Sequence, residues 1–196
     1  MTVLLLLTRL LASGADPRGV VSGYLDALRN LDQKRMAAYC APDLVWVGAD
    51  GSERKPADDR AARDMRGFER EMRTVWTYRV LAVEGGRVSA ELSERSDFYE
   101  LLGVGRRTQQ EVYVVREGLI RRMETRDVLH ARGDYKTAYA RFQQWLLNTP
   151  AASDSCVLRD GALVFDAKSA RRLRPWLEKW SRERGRGAAA HADPPP

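Results

Sequence analysis

The sequence predicts an α+β fold: a curved antiparallel sheet with helices gathered on one side of it. Three observations carry this reading. Apolar residues recur at helical spacing from Asp16 to Tyr39, and strand-like runs dominate from Val75 to Val128. Tight-turn dipeptides punctuate the strand region, and runs of strands beside runs of helices define an α+β arrangement.

Each element follows from local chemistry. Asp16-Pro17 opens a helix, because Asp offers an acceptor to the first free N–H groups and Pro loses nothing at the first helical position. Val20, Val21, Tyr24, Leu25, Leu28 and Leu31 then form its apolar stripe. Asp32 caps a second, shorter helix that ends at Tyr39, and Pro42 disfavours helix in the residue before it. Leu44 to Ala49 reads as a strand closed by the turn pair Asp50-Gly51. Pro56 to Met72 has helical spacing. Four strands are predicted next: Val75 to Glu84, Arg87 to Leu102, Arg106 to Val115 and Leu119 to Val128. Gly85-Gly86, Gly103 to Gly105 and Glu117-Gly118 join them. Strands this long are expected to curve. No internal repeat is present.

Beyond Val128 the pattern changes. Tyr135 to Leu147 is helical, a small hairpin is expected around Asp160-Gly161, and Ala167 to Arg184 forms a basic helix kinked or restarted at Pro175. Four regions are thus predicted. Residues 1–15 are a secretory signal or an N-terminal extension, 16–128 a domain, 129–184 a helical extension, and 185–196 a Gly/Ala/Pro-rich disordered tail. The first region leaves location open between the cytoplasm and export. The run Val3 to Leu7 and the Ser13-Gly14-Ala15 sequence favour a signal, whereas Arg9 and the lack of an earlier basic residue oppose it.

The totals narrow the function classes. A chain of 196 residues, 44% hydrophobic and 31% charged, suits one full core, and no run is long enough to span a bilayer as a helix. The net charge of +6 resides in one place: 168–186 hold eight basic residues against two acidic ones. Only that tail could draw the chain to nucleic acid or an anionic membrane surface. Its Leu173, Trp176, Leu177 and Trp180 lie at helical spacing, so the helix is expected to pack its aromatic edge and leave its charges in water. Two cysteines, Cys40 and Cys156, and two histidines lack zinc-ligand spacing, so no metal and no cofactor is expected. The cysteines read as unpaired core thiols, with a disulfide as the alternative.

Two segments carry a family resemblance. Gly19 to Asp50, GVVSGYLDALRNLDQKRMAAYCAPDLVWVGAD, resembles the opening of nuclear transport factor 2-like (SnoaL-like) proteins. RTQQEVYVVREGLIRRMETRDV, 107–128, resembles their closing hairpin. The resemblance covers about residues 16–128 and rests on element order and spacing. It implies a nuclear transport factor 2-like cone, an internal pocket and dimerisation through the sheet. Such proteins include ketosteroid isomerases, polyketide cyclases, epoxide hydrolases and non-catalytic binding modules, and fold alone does not choose among them.

The resemblance also implies site positions. An isomerase of this type pairs a carboxylate base with a tyrosine and a protonated acid that hydrogen-bond the oxyanion. The tyrosine position matches Tyr24 and the acid position falls on or near Glu111. The base position falls on Gly48, which has no side chain, and Asp50 serves only if the register slips. Trp46, Tyr113 and Glu94 are expected to line the pocket. Glu94 and Ser96 interrupt the apolar row of the second long strand, marking either pocket-facing polar groups or a bulge. Arg95 and Asp97 only weakly match the Asp-Arg-Asp set of limonene-type epoxide hydrolases. No His/Asp pair for acid–base work lies inside the domain. The first expectation is therefore a binding module for a small apolar molecule. The second is a cofactor-independent isomerase, cyclase or dehydratase using Glu111 or Asp50 with Tyr24. The third is an adaptor that binds acidic partners through the basic helix.

Overall fold

The computed structural model describes residues 16–54, 59–149, 151, 158–159 and 161–190. The predicted signal or extension at 1–15, Cys156, and the end of the tail at 191–196 lie outside them. Among the described residues the order is α1 (Pro17–Arg29), α2 (Gln33–Ala38), β1 (Cys40–Val47), β2 (Glu53–Arg54), α3 (Asp59–Glu71), β3 (Val75–Glu84), β4 (Arg87–Arg95), α4 (Asp97–Leu102), β5 (Arg107–Arg116), β6 (Leu119–His130), α5 (Tyr135–Leu147), β7 (Leu158–Arg159), β8 (Ala162–Leu163) and α6 (Ala167–Ala190). The α+β prediction holds. Six strands form a curved sheet ordered β2-β1-β6-β5-β4-β3, and β7 pairs with β8 as the predicted small antiparallel hairpin.

The chain forms two compact units. The first comprises the described residues up to Arg63, Trp76–Ser93 and Thr108–Leu129. The second comprises Asp64–Val75, Glu94–Arg107 and the described residues from His130 onward. This division cuts across the boundary read at 128, because α4 and most of α3 group with the C-terminal helices.

In the first unit, Asp16 caps α1 as predicted, accepting from the N–H groups of Arg18 and Gly19 at 3.1 and 3.0 Å. Its stripe of Val21, Tyr24, Leu25 and Leu28 packs in one core with Val88, Ala90 and Leu92 of β4 and Tyr113 and Val115 of β5. Gly23 on the same helix leaves room for the Tyr39 ring, whose tip a Cβ there would meet at 2.4 Å. β1 begins at Cys40, earlier than predicted, and runs parallel to β6, the exception in a sheet read as antiparallel. Its register shifts between Cys40 and Val45, around Pro42, which has no N–H to give the ladder.

The second unit holds the main correction. The predicted strand from Arg87 to Leu102 stops at Arg95, and Asp97–Leu102 is the helix α4. Ser96 is its N-cap, with a side chain that accepts from the Tyr99 N–H, and Gly103 closes it in the left-handed region at φ +87°. Ser96 is therefore neither a bulge nor a pocket group. Phe98 and Leu102 join Phe68, Met72, Phe142, Leu146, Leu173 and Leu177 in a separate core.

α6 continues to Ala190, past the Gly185 where composition predicts it to stop, and Pro175 lies inside it. Its aromatic edge packs as expected, with Trp176 and Trp180 against this core. Its arginines are less free than expected. Arg174 bonds the Asp97 carboxylate and the Glu71 carbonyl, Arg171 pairs with Glu71 at 2.9 Å, and Arg184 donates to the Leu102 carbonyl.

Candidate functional site

On β5 the alternate residues Gln109, Glu111, Tyr113 and Val115 are all buried, as one face of a strand requires. Tyr113 is fully enclosed and its hydroxyl donates to Glu111 Oε2, while Gln109 Nε2 donates to Glu111 Oε1. Both oxygens of a buried carboxylate are thereby met from its own strand. Burial, and then the neighbouring Glu111 charge, hold the Tyr113 phenol well above its ordinary range, so it stays a hydrogen-bond donor. Tyr24 reaches the cluster from α1, its ring 5.8 Å from that of Tyr113 and tilted by 59°. The structure thus brings together Tyr24, Tyr113 and Glu111. Tyr113 donates to Glu111, and Tyr24, expected as the donor to an oxyanion, stands beside the Tyr113 ring. Gln109 was not singled out in the sequence, although its i, i−2 spacing to Glu111 was visible.

Gln109 also brings an unmet group. Its Oε1 is buried and has no hydrogen-bond partner among the described residues. Exchanging the amide's O and N would set an oxygen against the Glu111 carboxylate, so the orientation is fixed by chemistry. Trp76 Nε1, in the same core, is likewise buried without a hydrogen-bond partner among the described residues.

The other predicted residues lie elsewhere. Asp50 is exposed in the turn after β1, where Oδ1 accepts from the Ser52 N–H at 3.0 Å and the Ser52 hydroxyl at 2.6 Å. Those hydrogen bonds hold its carboxyl below the usual range. It is a turn-forming group. Its oxygen lies 2.7 Å from where a Cβ of Gly48 would stand, so the position assigned to the base is filled from outside. Trp46 is half-buried on β1, donates to Thr125 Oγ1 at 3.1 Å, and is covered by the Arg54 guanidinium 5.4 Å from its ring centre. Cys40 is free, and burial pushes its thiol up to about 11, which makes it a poor nucleophile.

Glu94 belongs to the second unit. It is buried and pairs with Arg107 at 3.3 Å. Burial raises its carboxyl above the ordinary range against the opposing pull of Arg107. Asp97 pairs with Arg73 and Arg174 and Arg95 is exposed, so the Asp-Arg-Asp arrangement is not formed.

No known family's sequence profile matches the chain, and no curated protein matches it. Solved structures do. The chain is similar to an NTF2-like (nuclear transport factor 2-like) protein of unknown function from Cytophaga hutchinsonii, at 14% identity and a TM-score of 0.46, over 64% of this chain and 96% of that one. It is similar to a candidate polyketide cyclase from Xanthomonas campestris at 19% identity and a TM-score of 0.43, over 57% and 89%. It is also similar to a candidate ketosteroid isomerase from Kribbella flavida at 18% identity and a TM-score of 0.45, over 60% and 79%.

Proposed function

We propose that the first unit binds a small, mostly apolar molecule bearing one hydroxyl, with that hydroxyl received beside Glu111. One observation carries the reading: the buried Gln109 Oε1 has no partner among the described residues, next to a carboxylate whose two oxygens are already engaged. Buried polar atoms are almost always hydrogen-bonded, so a missing partner marks a place where a donor belongs. Val88, Ala90, Leu92 and Tyr24 supply apolar surroundings in the same core, the usual composition of a site that fixes a ligand by few polar groups. Binding without chemistry is the better reading, because Asp50 is committed to a surface turn and Gly48 offers no base.

Calorimetry with 1-naphthol and 1-methoxynaphthalene tests this. The naphthol is expected to bind and the ether to bind at least about fivefold more weakly, since a hydrogen bond to an otherwise unmet buried acceptor is worth about 1–3 kcal/mol. Gln109→Leu should erase that preference. Equal binding of the two compounds, or binding of neither, overturns the proposal.

A further inference from the structure

A second set of charged side chains is buried within the second unit. Arg66 and Glu69 lie on α3, Glu94 is next to the last residue of β4 and Arg107 begins β5. Glu94 and Arg107 are well provided for, since they pair with each other and Tyr99 hydrogen-bonds to both. Arg66 and Glu69 are not. Arg66 Nη1 lies 2.7 Å from Glu69 Oε2, yet the alignment makes no hydrogen bond. Arg66 Nε, Arg66 Nη1 and Glu69 Oε2 are all buried without a hydrogen-bond partner among the described residues. Glu69 itself is only 6% exposed.

A buried ion pair offsets its desolvation only when further hydrogen bonds satisfy both partners. Here two N–H donors and one carboxylate acceptor stand unmet side by side. We propose that Arg66 and Glu69 form a binding subsite for a carboxamide or un-ionised carboxyl group of a small molecule. Arg66 donates to the carbonyl oxygen, and Glu69 accepts from the adjoining N–H or O–H. The charges select this class. Glu69 and Glu94 already balance Arg66 and Arg107, so an added carboxylate or ammonium would bring an unpaired charge into a buried place. A neutral group with a donor beside an acceptor matches the unmet atoms and adds no charge. Burial also pushes the Glu69 carboxyl up to about 7, so Glu69 balances Arg66 and accepts fully only above that pH. This subsite is separate from the hydroxyl site proposed above, and neither depends on the other.

The test is a titration of the full chain with benzamide, read at the Arg66 Nε–H and Glu69 Cδ resonances by NMR. Methyl benzoate, which has the carbonyl but no N–H, is the comparison. A saturable shift at both groups with benzamide, and a response at least roughly tenfold weaker with the ester, is expected for a charge-assisted hydrogen bond. Arg66→Lys keeps the charge, loses the Nε–H, and should weaken benzamide by a similar factor. Equal responses to amide and ester, or no saturable shift at Arg66 and Glu69, overturn the proposal. If Arg66→Lys does not fold, the amide-to-ester comparison on the natural chain still decides. Shifts confined to Gln109 and Tyr113 would support the first site and count against this one.

Discussion

Glu111 and Glu69 are buried carboxyl groups in opposite circumstances, and each can be measured alone. Glu111 receives the Tyr113 hydroxyl inside the first core. Tyr113→Phe keeps the ring contact with Tyr24 and removes only the donor. It should destabilise the fold by about 1–3 kcal/mol, read as a lower urea midpoint, because a buried carboxylate loses one of its donors. A change within error would mean that another group replaces the hydroxyl. Glu69 is the reverse case, a carboxyl that burial holds at about 7 against an ordinary 4.5, with the Glu94 charge adding and Arg66 opposing. Between those values the unfolded chain has released a proton that the folded chain keeps. Glu69 thus contributes fully below pH 4.5, and that contribution is lost as pH rises through 7. Stability should fall by at most about 1.4 kcal/mol per pH unit from this group. Glu69→Gln should flatten the decline. An equal decline in both proteins would assign the titration to another group, such as Glu94.

At the scale of elements, α4 shows what the sequence conceals. Val88, Ala90 and Leu92 alternate, and Phe98 falls in phase with them beyond the polar Glu94 and Ser96, so a strand-like pattern resumes where a helix begins. The true signals were local: Ser96 as N-cap, Phe98 and Leu102 one helical turn apart, and Gly103 after the last turn. Ser96→Ala should cost about 1 kcal/mol. Gly103→Ala should cost more, since alanine is strained at φ +87° and its Cβ would also displace the Arg184 guanidinium. Thermal midpoints of the two variants check the order, and a reversed order would mean that the turn relaxes out of its left-handed form. α1, β3 and α5 were legible because capping and periodicity agree there. Within the site, Tyr24 and Glu111 were legible only through the family resemblance, and Tyr113 only as an expected lining residue. Arg66, Glu69 and Arg107 were not, because in a sequence they resemble any solvated charges, and only tertiary burial sets them apart.

At the scale of the whole molecule, two cores share no residue. One is built from α1, α2 and the sheet strands, and the other from α3, α4, α5, β8 and α6. The basic helix α6 is therefore a structural part of the second unit: Ala170, Leu173 and Leu177 are each fully buried in its core. Removing one such leucine side chain costs about 2–5 kcal/mol, and deleting residues 167–196 removes both leucines and the Arg174 and Arg184 anchors together. Hydrogen exchange should then show amides of 98–104 and 142–146 losing protection, while those of 24–28 and 112–115 keep theirs. Such a result also changes how the adaptor reading is tested, because a tail deletion that unfolds the second unit would abolish acidic-partner binding for the wrong reason. Charge reversal at Lys168 and Arg182, exposed positions outside the core, is the cleaner probe. If the deletion leaves 98–104 protected, α6 is an accessory to the second core, and its surplus charge becomes the better explanation for its presence.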